Sequence, residues 1–356
     1  MFAVIMAGGK GTRFWPRSRD RKPKHLLDII GEKTIIQETV DRIRPLVPPE
    51  NTLVVTGASH AAELIRQLPD IPQGNIIVEP VGRNTAPCIG LAALHIRKKA
   101  SDDVMLVLPS DHLIADEKKF LQILGVAAEL ARQGEHLVTI GIRPTAPETG
   151  YGYIEQGGRK AEIRGEEVLE VRSVREKPDT EQARKFLEEG GFSWNSGMFV
   201  WRTSVILDAI RQWLPDLHQG LMRIEGALGS AREAAVVEEV YRNAGSISID
   251  YGVMEKARNA LVIQGDFGWS DVGSWDALWV VSRKDGKGNA ARGRLIEVDS
   301  RNCLVYSPAK PVVLVGVDDL IVVETDDVLM ICKRGSSQDV KNAVAAVEKS
   351  DLKTLL

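Results

Sequence analysis

Cysteine is scarce. Cys88, Cys303 and Cys332 are spread over 356 residues, with no close pair. That excludes a disulfide framework and a cysteine-rich metal knuckle. Each lies among apolar residues, so buried structural thiols are expected. Histidine numbers only six. No Ser-His-Asp arrangement and no Gly-x-Ser-x-Gly elbow is present, and His25 and His112 are read as structural. Surplus charge is also missing. The 46 Lys and Arg against 49 Asp and Glu leave a net −3, too little positive charge to neutralise a nucleic-acid backbone. No apolar run is long enough to cross a bilayer, and the first residues lack the charged-then-apolar order of a secretory leader. A cytoplasmic protein with no nucleic-acid or membrane partner is expected. Aromatic residues are only 5%, and Trp194, Trp201, Trp269 and Trp275 are read as core.

What is present is a 44% hydrophobic chain, enough for one large or two modest domains. A short apolar run, Phe2 to Ala7, reads as a buried strand. It ends in Gly8-Gly9-Lys10-Gly11-Thr12-Arg13. Glycine lets a ligand approach the main chain, and a turn rich in N–H groups binds anions. Arg13 adds a positive fork for phosphate oxygens. Pro23-Lys24 follows eleven residues after the glycines, within a basic run (Arg13, Arg17, Arg19, Arg21, Lys22, Lys24). That run is either a polyphosphate cradle or a solvated loop. The glycine pattern matches neither the P-loop nor the dinucleotide fingerprint.

Apolar periodicity then alternates strand and helix. Strands are expected at 52–56, 75–78, 103–108 and 137–142, and helices at 34–47, 60–67, 87–99 and 120–133. Such alternation implies a parallel sheet with helices on both faces, with ligands at the carboxyl ends of the strands. Gly8 to Arg13 and Pro109 to His112 occupy such ends. Further strands are expected from Gly150 and at 170–176, with a helix at 180–189. The stretch 192–201 reads as a loop entering a strand. Asp111 follows a buried strand directly, and Asp271 lies in the glycine-bracketed loop Gly268 to Gly273. Two carboxylates from distant loops suit a divalent cation such as Mg²⁺. Ser110 or Asp111 alternatively caps the next helix.

Composition changes near Lys284. Short β runs follow at 294–298, 302–306, 311–315, 320–324 and 328–332, then a helix at 336–348. Residues 1–284 therefore read as one domain and 285–356 as a small β-rich one. Its exposed strand edges suggest packing against a second copy.

Taken together, the motifs resemble the sugar-nucleotide pyrophosphorylases, or nucleotidyltransferases. The residues that carry the likeness are Ala7 to Arg13 with Pro23-Lys24, and Glu176-Lys177-Pro178. Glu79-Pro80, Gly82 to Pro87, Leu108 to His112, Trp194 to Phe199 and Gly268 to Trp275 are similar to the mannose-1-phosphate guanylyltransferase branch. The likeness covers about residues 1–278. It implies a Rossmann-like, mostly parallel α/β sheet, with a tail similar to a short left-handed β-helix. It implies GMP transfer from GTP to mannose 1-phosphate with Mg²⁺, giving GDP-mannose and pyrophosphate. The same chemistry on another hexose or heptose 1-phosphate, or a non-catalytic sugar-nucleotide-binding subunit, are the alternatives. By the same likeness, Arg13, Lys24 and Lys177 are catalytic. Ala7, Gly8, Gly9, Gly11, Thr12, Glu79, Asn84, Thr85, Pro109 and Ser110 line the nucleotide. Glu79 faces guanine or instead orders its loop. Gly152, Glu176, Asn195, Ser196 and Gly197 meet the sugar, and Asp111 and Asp271 hold the metal. A homodimer through the C-terminal domain is expected. No phosphomannose isomerase activity is expected, since the longer members' extra cupin domain has no counterpart.

Overall fold

The computed structural model describes residues 1–9 and 11–356. Lys10, part of the glycine motif, lies outside the described residues. The chain divides into two compact units. The first comprises Met1–Gly8, Val40–Ser110 and Ile114–Trp269; the second comprises Gly9–Thr39, Asp111–Leu113 and Ser270–Leu356.

The first unit is built on a nine-stranded sheet. In chain order its strands are β1 (Phe2–Ala7), β2 (Thr52–Gly57), β3 (Ile76–Glu79), β4 (Val104–Pro109), β6 (Leu137–Ile142), β7 (Tyr153–Ile163), β8 (Glu166–Arg175), β9 (Phe192–Arg202) and β10 (Ala260–Gly265). Two-residue strands β5 (Leu113–Ile114) and β11 (Trp269–Ser270) complete the series to that point. The order across the sheet is β3-β2-β1-β4-β9-β6-β10-β8-β7. Strands β1 to β4 pair in parallel, as does β6 with β10, whereas β9 runs antiparallel to β4, β6 and β7. The helices of the series are α1 (Ile35–Ile43), α2 (Ala58–Gln67), α3 (Thr85–Lys99), α4 (Glu117–Gln133), α5 (Thr180–Glu189), α6 (Thr203–Trp213), α7 (Pro215–Ala227) and α8 (Glu233–Asn243). Central strands are apolar throughout because both faces are covered: every residue of β6 is buried. Helix α3 shows why a helix starts where it does. The Asn84 side chain accepts from Thr85 N–H at 2.9 Å, Pro87 sits in the first turn where a missing N–H costs nothing, and Arg97, Lys98 and Lys99 close the last turn against the helix dipole.

The second unit carries a four-stranded sheet, β12 (Ala290–Val298), β13 (Leu304–Val315), β14 (Leu320–Glu324) and β15 (Leu329–Lys333), with β12, β13 and β14 parallel and β15 antiparallel. Helices α9 (Trp275–Val281) and α10 (Val340–Glu348) belong to it. Its core joins Phe14, Trp15 and Leu27 from the glycine-loop segment to Trp275, Tyr306 and Val323. The Phe14 and Trp275 rings lie 5.0 Å apart, and Trp275 Nε1 donates to the Trp15 carbonyl at 3.0 Å. Asp28 accepts from Arg17 and from Arg292. The early basic run is therefore partly spent on structure.

The expected α/β class with a β-rich tail holds. Two details differ. Residues 192–201 form one continuous strand rather than a loop entering a strand, because β4 and β6 flank them and satisfy their main chain. The expected strands 302–306 and 311–315 are the single strand β13. Beyond Tyr306 it pairs only with β12, so Pro308 and Pro311 sit on an edge where no N–H is needed. Cys88 and Cys303 are buried as expected, while Cys332 is only half-buried. No described helix is long and apolar enough to cross a membrane.

Candidate active site

The second unit brings together four sequence-predicted residues or their loops. Gly11 has φ +62, and a Cβ placed there would lie 2.5 Å from Lys24 Cβ. The glycine turn and the Pro23-Lys24 turn are thus packed backbone to backbone, which only glycine permits. Lys24 is 5% exposed. Its ammonium donates to the Asp111 carbonyl at 2.8 Å, to Asp111 Oδ2 at 2.9 Å and to the main-chain carbonyl of Asp271. An ammonium has three donors, and here three acceptors from two distant loops meet them. Burial pushes the Asp111 carboxyl up, but Lys24, His112 and His25 outweigh it and hold it at about 2. The carboxylate is therefore anionic at neutral pH. The Asp271 carboxylate accepts from Gly273 N–H at 3.0 Å. Val272, fully buried, has φ +41, a conformation costly for a β-branched residue; strain of that kind gathers at functional loops. Thr12 opens a short turn, Thr12–Phe14, and Arg13 Nη1 donates to Gln338 Oε1 at 3.1 Å on the surface.

The cap reading of Ser110 and Asp111 is replaced. Helix α4 begins at Glu117 and its cap is Asp116, which accepts from Lys119 N–H. The sequence signal for Asp116 was available, an acid three residues before Lys119 at the helix start.

Gly9 also falls in the second unit, and the first unit holds the rest. Ala7 ends β1, and Gly8 is exposed with nothing within 4 Å of an added Cβ. Pro109 ends β4, and Ser110 N–H donates to the Met6 carbonyl at 3.2 Å. Glu79 ends β3 with its side chain turned inward. It is 6% exposed, and its Oε1 has no hydrogen-bond partner. Burial pushes this carboxyl up to about 7. Thr85 Oγ1 accepts from Ile249 N–H at 2.8 Å.

Around Asn195 the order is tight. Asn195 N–H donates to the Gly152 carbonyl at 2.8 Å. Its Oδ1 accepts from Gly197 N–H at 3.1 Å, and its Nδ2 donates to Asp250 Oδ1 at 2.6 Å. A Cβ on Gly152 would lie 2.4 Å from Glu176 Oε2, so glycine is required for the Glu176 carboxylate to sit there. Lys177, at φ +49, is exposed and its Nζ lies 3.3 Å from Glu176 Oε1. Ser196 is buried and donates to the Ile140 carbonyl at 2.6 Å, so its hydroxyl serves the fold. Asp250 was not found from the sequence. Its one local signal is an acid between Ile249 and Tyr251 at the start of an irregular turn, and such acids are common.

Among the described residues no group of three or more His, Cys, Asp or Glu side chains forms a ready metal cluster. Asp111 and Asp271 still fit Mg²⁺. They are hard oxygen donors on loops tied to one ammonium, one is held anionic, and Mg²⁺ completes its shell with phosphate oxygens and water.

In the second unit a glycine turn and two carboxylate-bearing loops share one ammonium, a set suited to phosphate; in the first, a glycine-backed carboxylate lies beside a lysine, a set suited to sugar hydroxyls. The chain belongs to the nucleotidyl transferase family, whose model matches residues 2–288. Residues 293–347 match the MannoseP isomerase/GMP-like beta-helix domain. Among curated relatives, a mannose-1-phosphate guanylyltransferase of Escherichia coli is 41% identical over 354 residues, covering 98% of this chain and 74% of that protein. One of Klebsiella pneumoniae gives the same identity and coverage. A crystal structure from Thermus thermophilus, described as mannose-1-phosphate geranyltransferase, superposes with a TM-score of 0.88 at 34% identity, covering 98% of this chain and 99% of that one.

Proposed function

We propose that the chain transfers a guanylyl group from GTP to α-D-mannose 1-phosphate, giving GDP-mannose and pyrophosphate. The observation that carries this reading is the junction of Gly11, Lys24, Asp111 and Asp271. Relatives named for this reaction, at 41% identity over nearly the whole chain, support it.

The chemistry suits a site without a nucleophile or general base. A sugar-phosphate oxygen attacks the α-phosphorus in line. The new P–O bond forms as the α–β bridging bond breaks, and its electron pair leaves with pyrophosphate. The attacking oxygen is already anionic, so the protein has only to position groups and offset charge. Gly8, Gly9, Gly11 and Arg13 take the polyphosphate, and Lys177 takes the sugar phosphate. Gly152, Glu176 and Asn195 take the mannose hydroxyls. Asp111 and Asp271 would hold Mg²⁺, which when bound offsets charge on phosphate oxygens. Lys24 holds both acidic loops in place. Asn84 and Thr85 frame the guanine end.

Self-association is part of the same reading. Ile296, Val298, Val313 and Val315 are all at least half exposed, and they pair across β12 and β13 as Ile296 with Val313 and Val298 with Val315. An apolar sheet face of this kind suits a second copy.

The test is pyrophosphate release from GTP, mannose 1-phosphate and Mg²⁺, alongside a panel of other nucleotides and hexose and heptose 1-phosphates. Release that needs all three components is expected. A folded sample that forms no product, or prefers another pair, refutes the reading.

A further inference from the structure

We infer that Asp250 is a positioning residue for the sugar phosphate: it locks the Asn195 amide in one orientation and, through its own segment, ties that amide to the loop at 83–86. This rests on the proposed role of Asn195 at the sugar.

The geometry runs through hydrogen bonds alone. An amide side chain has one acceptor end and one donor end, and it flips easily unless both are held. Gly197 N–H holds the Asn195 oxygen, and Asp250 Oδ1 holds the nitrogen at 2.6 Å. One N–H of Asn195 Nδ2 is thereby spent, and its other N–H has a defined direction. Asp250 is itself held. It opens a π-helical turn, Asp250–Met254, and such turns are rare and concentrate at functional sites. Just before it, Ile247 N–H donates to the Arg83 carbonyl, Ala86 N–H donates to the Ile247 carbonyl, and Ile249 N–H donates to Thr85 Oγ1. The segment 247–250 therefore joins the Gly82 to Pro87 motif at one end to Asn195 at the other. Among the described residues no other role for this half-buried acid is evident, since its hydrogen-bonded side-chain partner is an amide and not a base.

The charged groups that face Asp250 are Glu176 and Lys177, both just past the end of β8. Burial first, then the negative charge of Glu176, push the Asp250 carboxyl up to about 6 against the Asn195 bond and the Lys177 charge. An ionised carboxylate accepts more strongly than a neutral one. The lock is thus strongest above about pH 6 and weakens as pH falls through that value.

The experiment compares wild type, Asp250→Ala and Asp250→Asn in steady-state kinetics from pH 5 to pH 8. For Asp250→Ala, the KM for mannose 1-phosphate is expected to rise about tenfold or more, with the KM for GTP moving less than about twofold. Asparagine keeps an acceptor oxygen but no charge. For Asp250→Asn the rise is expected to be about three- to fivefold at pH 8, shrinking toward none at pH 5, where wild-type Asp250 is also neutral. The substrate phosphate titrates alike with every enzyme, so the ratio of KM values isolates Asp250. The inference is overturned if Asp250→Ala leaves the sugar-phosphate KM within twofold, if both KM values rise together, or if the Asp250→Asn ratio is flat with pH. Calorimetric binding of mannose 1-phosphate to the same three proteins separates the two readings. If wild type turns nothing over yet binds the sugar phosphate more tightly than Asp250→Ala, the function fails and the positioning role stands. Equal binding by both overturns the positioning role.

Discussion

Replacing Lys24 with methionine keeps the length of the side chain and removes the ammonium. Three acceptors then lose their donors: the Asp111 carboxylate, the Asp111 carbonyl and the Asp271 carbonyl. Removing one partner of a buried ion pair costs about 3–5 kcal/mol. The lysine is 6% exposed but its partner Asp111 is 34% exposed, so water recovers part of that loss. A destabilisation of about 2–3 kcal/mol is expected, near the worth of hydrogen bonds to charged groups. The pH dependence gives a sharper check. In the wild type Asp111 is held at about 2, below its ordinary carboxylate value. That stabilisation is present in full above the ordinary value and is lost as pH falls toward about 2. In Lys24→Met the main downward pull is gone and burial remains, so Asp111 titrates higher. The gap between the two proteins in urea melts should therefore be full at pH 7 and shrink below about pH 4. Turnover should fall at least about a hundredfold, the scale of losing one electrostatic group in a preorganised site. The reasoning is refuted if Lys24→Met matches wild-type stability within about 0.5 kcal/mol at pH 7, or if the gap is the same at pH 3.

Three further outcomes are expected. Gly11→Ala puts a Cβ 2.5 Å from Lys24 Cβ on a backbone at φ +62, so a loss of at least about 2 kcal/mol should appear in urea melts. Asp271→Asn should lower turnover about a hundredfold at saturating Mg²⁺ while stability stays within about 0.5 kcal/mol, because Lys24 grips the main-chain carbonyl of Asp271 and not its carboxylate; near-normal Mg²⁺-dependent rates would sink the two-carboxylate metal reading. Wild type should sediment as a dimer, and Val313→Lys with Val315→Lys, which charges two residues 58% and 64% exposed, should sediment as a folded monomer whose melting temperature, unlike that of wild type, does not rise with protein concentration.

Local patterning along the chain was enough to set the layers. Buried β-branched runs alternating with amphipathic helices can satisfy their main chains only in a covered parallel sheet, and β6 lies where periodicity places it. The sequence also marked Gly11, Lys24, Asp111 and Asp271, each for a separate chemical reason. The likeness to a family implied that the two carboxylates share a metal, but spacing alone did not reveal that the Lys24 ammonium joins their loops. Lys24 lies 87 residues from Asp111 and 247 from Asp271, and no local pattern encodes a pairing at that separation. The same holds for Arg17 and Arg292, which converge on Asp28. Asp250 stayed hidden because its meaning lies in distant partners, above all Asn195, 55 residues away. Tertiary packing also made 192–202 a strand throughout, since the neighbours that satisfy its backbone come from elsewhere in the chain. The glycine turn shows both sides of that division. Its glycines and Arg13 announce an anion site from sequence alone. Only the packing of Gly11 against Lys24 shows why the third glycine has no substitute.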